Sequence, residues 1–170
     1  MPHRRKRSPG GITSQKFQTQ TIAEGSKKMQ IKQLSLFIEN QPGTLSKVSQ
    51  VLKENDLDIR TLSLADTSEF GILRLLIKDH NRAKEVLEKA GFVVKITDVL
   101  AITISNKVGG LADVLNIIDR HHLSIEYMYA FTFSHGDRAV LVFRFDDIQH
   151  ALSELKDEQV EVLRAEDLYI

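Results

Sequence analysis

Two short stretches spaced 66 residues apart constrain this chain more than any other feature: Asn40-Gln41-Pro42-Gly43-Thr44-Leu45 and Asn106-Lys107-Val108-Gly109-Gly110-Leu111. The first follows an alternating apolar run (Leu34, Leu36, Ile38) and opens a helical one (Leu45, Val48, Val51, Leu52). A strand therefore stops, turns sharply and feeds a helix. Pro42 presets φ ahead of the turn, and Gly43 permits a backbone that a side chain would block. The first helical N–H groups have no partner inside the helix and point toward the turn. The turn therefore suits a small anion such as a carboxylate.

The repeat extends well beyond the turns. Val48 matches Val114, Leu57 matches Leu123 and Ile59 matches Ile125 at the same offset. Further on the offset becomes 68, with Asp79 matching Asp147 and Ala83 matching Ala151. A shared offset across strand, turn and helix marks an internal duplication, with a second hairpin loop (Ser134 to Asp137) about two residues longer than the first. Periodicity predicts strands over 31–39, 57–66, 70–78 and 92–96, with helices over 44–55 and 81–90. In the second copy it predicts strands over 99–105, 123–133, 138–145 and 159–164, with helices over 110–121 and 148–157. Leu57, Ile59, Leu62 and Leu64 are the expected buried groups of the second strand, and the slip in their alternation predicts a bulge. The fold class is α+β: two ferredoxin-like βαββαβ domains in tandem with antiparallel sheets. The expected division is a disordered leader over 1–28 and domains over 29–97 and 98–170.

A βαββαβ unit of this size covers one sheet face with helices and leaves the other bare, on a marginal core. Two copies pair most simply by edges or bare faces. Ile31, Phe37 and Ala65 in the first copy, and Tyr127, Tyr129, Phe131 and Phe133 in the second, are expected on such an interface.

Composition excludes several classes. The chain of 170 residues has no cysteine, so disulfides and thiolate chemistry are absent. No apolar run approaches the roughly 20 residues of a membrane helix, and a cytoplasmic location is expected. The net charge of zero conceals a basic start: residues 1–28 carry seven Lys or Arg against Glu24 alone. The run Arg4-Arg5-Lys6-Arg7 has the chemistry to touch nucleic acid, but its setting reads as a polar leader, and no nucleic-acid partner is expected. Met29 directly precedes the first ordered pattern, where the working chain is expected to begin. His121 and His122 are adjacent and point in different directions, so no metal site is expected. No nucleophile meets a base and an orienter, so neither an enzyme nor a cofactor is expected.

The turn Asn-x-Pro-Gly-x-Leu after the first strand, the segment Leu57-Asp58-Ile59 after the first helix, and the element order together resemble the ACT domain, a small-molecule-binding regulatory module. The second copy supplies Asn106, Gly109, Leu111, Leu123, Ser124 and Ile125. The resemblance covers residues 30–170 and implies a stand-alone tandem ACT protein that binds an amino acid. It implies a ligand carboxylate against the N–H groups of Gly43, Thr44 and Leu45, with the Asn40 amide adding a bond. Pro42 shapes the turn. Asp58 of a neighbouring domain would receive the ammonium, and Leu45 and Ile59 would shape the side-chain pocket. The equivalent set is Asn106, Gly109, Gly110, Leu111, Ser124 and Ile125. Val108 in place of proline and Ser124 in place of an acid make the second set the weaker one. The expected partners are a small amino acid and a second copy of the chain. The competing expectation is a constitutive interaction module without ligand.

Overall fold

The computed structural model describes residue 25 and residues 27–66, 70–135 and 137–169. The basic run Arg4 to Arg7, the turn at 67–69 and the side chain of Phe133 lie outside the described residues. The strands are β1 (Ile31–Glu39), β2 (Thr61–Asp66), β3 (Phe70–Leu76), β4 (Val93–Ser105), β5 (Ile125–His135) and β6 (Arg138–Phe145). The helices are α1 (Thr44–Glu54), α2 (His80–Lys89), α3 (Gly110–Arg120), α4 (Ile148–Asp157) and the single turn α5 (Ala165–Leu168). No helix among the described residues is long and apolar enough to cross a membrane.

All strand pairs are antiparallel, and the six strands run in the order β2-β3-β1-β4-β6-β5. The expected strands at 92–96 and 99–105 are one continuous strand. Val93 to Val99 of β4 pairs with β1, and Leu100 to Ser105 pairs with β6. The sheet of one copy thus passes into the sheet of the other without a linker.

The duplication is visible in the backbone as well as in the side chains. Gly43 (φ 92, ψ −16) and Gly109 (φ 94, ψ −17) precede α1 and α3 in the same left-handed conformation. Asp79 and Asp147 cap α2 and α4 with their carboxylates. Left-handed residues just past the helix ends also correspond: Asp56 (φ 55) with His122 (φ 52), and Gly91 (φ 93) with Gln159 (φ 59).

Each copy buries a helix-facing core. Leu34, Leu36, Leu73 and Leu75 meet Val48, Leu52, Ala83 and Leu87 in the first. In the second, Leu100, Ile102, Phe143 and Phe145 meet Val114, Ile118, Ala151 and Leu155. A third cluster fills the space between the two bare sheet faces, with Ile31, Leu76, Val99, Ala101, Phe131, Val140 and Val142 against Tyr127, Tyr129 and Leu168. The copies therefore pair by bare faces. Ile31, Tyr127, Tyr129 and Phe131 join that interface as expected, whereas Phe37 and Ala65 stay exposed at its far end.

Polar groups are threaded through the same interface. Gln33 is fully buried on the bare face of β1. Its amide donates to Tyr127 Oη at 2.8 Å and to Ser35 Oγ at 3.0 Å, and its carbonyl accepts from Tyr129 at 2.9 Å. The Arg74 guanidinium stacks 3.8 Å above the Tyr127 ring.

Four expectations are corrected. The last strand, predicted over 159–164, shrinks to a bridge between Val162 and Ile102, because the chain turns away into α5. Leu62 and Leu64 are 53% and 44% exposed: they sit on the helix side of β2, an edge strand beyond the reach of α1 and α2. The predicted bulge is absent, since β2 starts only at Thr61 and then pairs regularly with β3. The two extra residues of the second hairpin lie inside β5, where the register shifts between Ala130 and Ser134, and not in its loop.

Candidate functional site

The helices divide into two kinds at their N-termini. Asp79 accepts from Arg82 N–H at the start of α2, and Asp147 accepts from Gln149 and His150 N–H at the start of α4. No side chain caps α1 or α3. At α1, Thr44 N–H bonds Gln41 O at 3.3 Å and Lys47 N–H bonds Gly43 O at 2.9 Å. The N–H groups of Leu45 and Ser46 between them are directed out of the helix end, which is the positive end of its dipole.

This end opens on a cavity of about 650 Å³. The turn contributes Pro42, Gly43 and Thr44, and the first turns of α1 add Lys47. Phe37 and Glu39 come from β1, Phe70 from β3, Phe92 from the loop entering β4 and Val93 from the first position of β4. Phe37, Phe70 and Val93 are 53%, 56% and 67% exposed. The Lys47 ammonium sits 5.3 Å from the Phe92 ring centre. The volume suits a small molecule, and apolar walls with a few polar groups are the usual composition of such a site. Asn40 and Leu45 stand exposed beside the turn, outside the cavity lining.

Asp58 and Ile59 lie at the opposite end of α1, a helix about 16 Å long at 1.5 Å per residue. Ile59 packs on the first core. Asp58 lines a different cavity, of about 510 Å³, together with Arg60, Lys78, Arg82 and Tyr169. Burial pushes the Tyr169 phenol up to about 12. One chain therefore does not bring Asp58 to its own Gly43.

The second turn is built more tightly. A Cβ on Gly110 would lie 1.9 Å from Ser105 O, so α3 rests directly on the end of β4. Asn106 N–H bonds Asp137 O at 2.7 Å, and the Lys107 ammonium approaches the Asp137 carboxylate at 3.8 Å. Gly109 and Leu111 are exposed, and Asp113 places an acid in the first turn of α3. Ser124 and Ile125 lie past the far end of α3. Ser124 is exposed, its carbonyl accepting from Asp146 N–H at 3.2 Å, and Ile125 packs on the second core.

Sequence reasoning missed Glu39, Lys47, Phe70, Phe92 and Val93. Glu39 and Lys47 flank the turn in sequence, and strand pairing brings Phe70 and Val93 to it: Glu39 faces Phe70 and Phe37 faces Val93. The alternation of β1 already put Phe37 on the bare face, and this was the one available signal. Among the described residues no cluster of three or more His, Asp or Glu side chains could hold a metal ion. The His121 imidazole is held between Glu154 at 2.5 Å and Glu158 at 2.8 Å. That hydrogen bond and the nearby Arg120 charge lower the Glu158 carboxyl below its usual range.

The family model of the ACT domain pair matches residues 29–170. The chain belongs to that family. A crystal structure of a protein from Bacteroides thetaiotaomicron is similar to this ACT pair at 38% identity and a TM-score of 0.77, over 83% of this chain and 96% of that one. The ligand-free regulatory subunit of aspartate kinase from Thermus thermophilus shares the fold at 17% identity and a TM-score of 0.57, over 75% of this chain and 90% of that one. The corresponding subunit from Thermus flavus shares it at 19% identity and a TM-score of 0.55, over 76% and 92%. No curated protein matches the ACT pair in sequence. The family is one of regulatory ligand-binding modules, and the match points to no particular enzymatic family.

Proposed function

We propose that this ACT pair is a non-catalytic sensor that binds a free amino acid at a strand-to-helix turn. The observation that carries this reading is the uncapped N-terminus of α1, which opens on a cavity of about 650 Å³. A ligand carboxylate accepts from the N–H groups of Leu45 and Ser46 beside Gly43 and Thr44. The ligand ammonium needs an acid: Glu39 lines the same cavity, and Asp58 adds a second acid where a neighbouring protomer of a homodimer presents it. Asn106, Gly109, Gly110, Leu111, Ser124 and Ile125 form the equivalent second set. Ligand binding favours one packing of the protomers, and a downstream partner reads the change.

Thermal-shift titration of the full chain with each of the twenty amino acids tests this reading. At least one is expected to raise the melting temperature at millimolar concentration. If none does, the sensor reading fails. A constitutive interaction module is then favoured by the exposed apolar side chains of Phe37, Phe70 and Val93.

A further inference from the structure

The duplication allows every wall of the cavity at turn 1 to be compared with its counterpart at turn 2. Strand pairing fixes the correspondence. Phe37 faces Val93 across β1 and β4, as Thr103 meets Glu161, whose carbonyl accepts from Thr103 N–H at 3.0 Å. Glu39 faces Phe70, as Ser105 faces Arg138. The apolar trio Phe37, Phe70 and Val93 thus becomes Thr103, Arg138 and Glu161 in the second copy. There Arg138 and Glu161 form an ion pair. The charged groups beside the turn change as well. Lys47, on the cavity wall, corresponds to Asp113, and Glu39 corresponds to Ser105.

We infer that the chain holds one amino-acid site, at turn 1, and that this site selects a zwitterion with a large apolar side chain; this rests on the amino-acid reading above. Turn 1 offers Lys47 and the bare helix end to a carboxylate, Glu39 to an ammonium, and the rings of Phe37, Phe70 and Phe92 to the side chain. Three aromatic walls gain from covering apolar ligand surface and gain nothing from a charged or hydrogen-sized side chain. Turn 2 keeps an uncapped helix start but has lost the cation, the acid and the three aromatic walls, since Lys47, Glu39 and Phe92 correspond to Asp113, Ser105 and Val160. Asp113 repels a carboxylate at the start of α3, and Gly110 lies flush on Ser105. The space on the bare face behind turn 2 is also smaller. Arg60 of the first copy and Leu168 of α5 share with Thr103 a cavity of only about 160 Å³, and the Arg60 Nε–H donates to Leu168 O at 2.6 Å. In the first copy the chain continues along β4 at the point equivalent to the start of α5.

Isothermal titration of the full chain with L-phenylalanine, L-leucine, glycine, L-aspartate and L-lysine tests the inference. One site per chain is expected, with phenylalanine or leucine at least about tenfold tighter than the other three. Val93→Glu writes the second copy's charge into an exposed wall position and is expected to weaken binding at least about tenfold without lowering the melting temperature of the free protein. Preferred binding of glycine, aspartate or lysine overturns the selectivity but leaves the sensor function standing. Two sites per chain overturn the single-site assignment, as does unchanged affinity in Val93→Glu. If none of the five binds, the inference fails, and if none of the twenty shifts the melting temperature either, the function proposed above falls too.

Discussion

The side-chain oxygen of Gln33, in the first copy, accepts a hydrogen bond from the hydroxyl of Tyr129, in the second, at 2.9 Å. The amide nitrogen of the same residue donates to Tyr127 at 2.8 Å, so one fully buried side chain joins two tyrosines of the other copy. Such a group is costly to leave unpaired in a low-dielectric interface, and its partners set how the two sheets lie against each other. Tyr129→Phe strands the Gln33 oxygen and is expected to destabilise the protein by about 1–3 kcal/mol in urea denaturation. Replacing Gln33 by Leu together with Tyr127→Phe and Tyr129→Phe removes donors and acceptors alike and is expected to be much milder. If the triple variant is the weaker protein, the polar pins contribute more than satisfaction of their own bonds.

The same tyrosines set the alkaline limit. Burial raises the Tyr129 phenol above its ordinary range and pushes Tyr169 to about 12. The unfolded chain releases these protons first, near pH 10, while the folded chain still holds them. The folded state then binds more protons, so stability is complete below about pH 10 and falls as the pH rises toward the folded values. Urea midpoints measured from pH 8 to 11 are expected to decline, and to decline less in Tyr129→Phe and Tyr169→Phe. A parallel decline in all three proteins would show that other groups control the alkaline range.

Two glycines at equivalent turns should respond differently to alanine. Gly43 has open space around its Cα, so Gly43→Ala meets only the strain of a left-handed backbone, about 1–2 kcal/mol. Gly110→Ala forces a methyl group against Ser105 O and must lift α3 off β4. Its loss is expected at or beyond the upper end of the ~1–3 kcal/mol usual for overpacking. Thermal melts of both variants check the ranking, and a larger loss at Gly43 would reverse it.

Past the helix ends, Gln159 adopts the left-handed conformation that its counterpart Gly91 adopts without a Cβ. Gln159→Gly is expected to stabilise by about 0.5–1 kcal/mol, and Gly91→Gln to destabilise by a similar amount. Opposite shifts in melting temperature would confirm the pairing; shifts of the same sign would refute it.

The fold was legible in the sequence because its strongest signal was a repeat. Matched positions such as Val48 and Val114 specify the same helix face twice, so errors in one copy are checked by the other. The element ends were less legible. Val160 and Val162 carry the alternation of a strand, but α5 draws the chain off the sheet before a ladder forms. Leu62 and Leu64 alternate like buried residues, and only the sheet order shows that β2 is an edge. The turn residues Pro42, Gly43 and Thr44 were readable because local geometry defines them. Phe70, Phe92 and Val93 were not, because sheet order and strand register, not sequence spacing, bring them to the turn. The absence of a cap on α1 was equally hidden, since it depends on where a side chain fails to reach.

The continuous strand β4 bears on how such a protein can be inherited. The boundary between the copies falls inside a ladder, with β1 holding one half of the strand and β6 the other. Cutting the chain there would give each fragment a severed strand and an uncovered sheet face. The two copies arose as repeats of one design, yet neither is now portable. A recombination event that moved one half into another protein would have to bring the other with it, so the pair is the smallest unit that selection can shuffle.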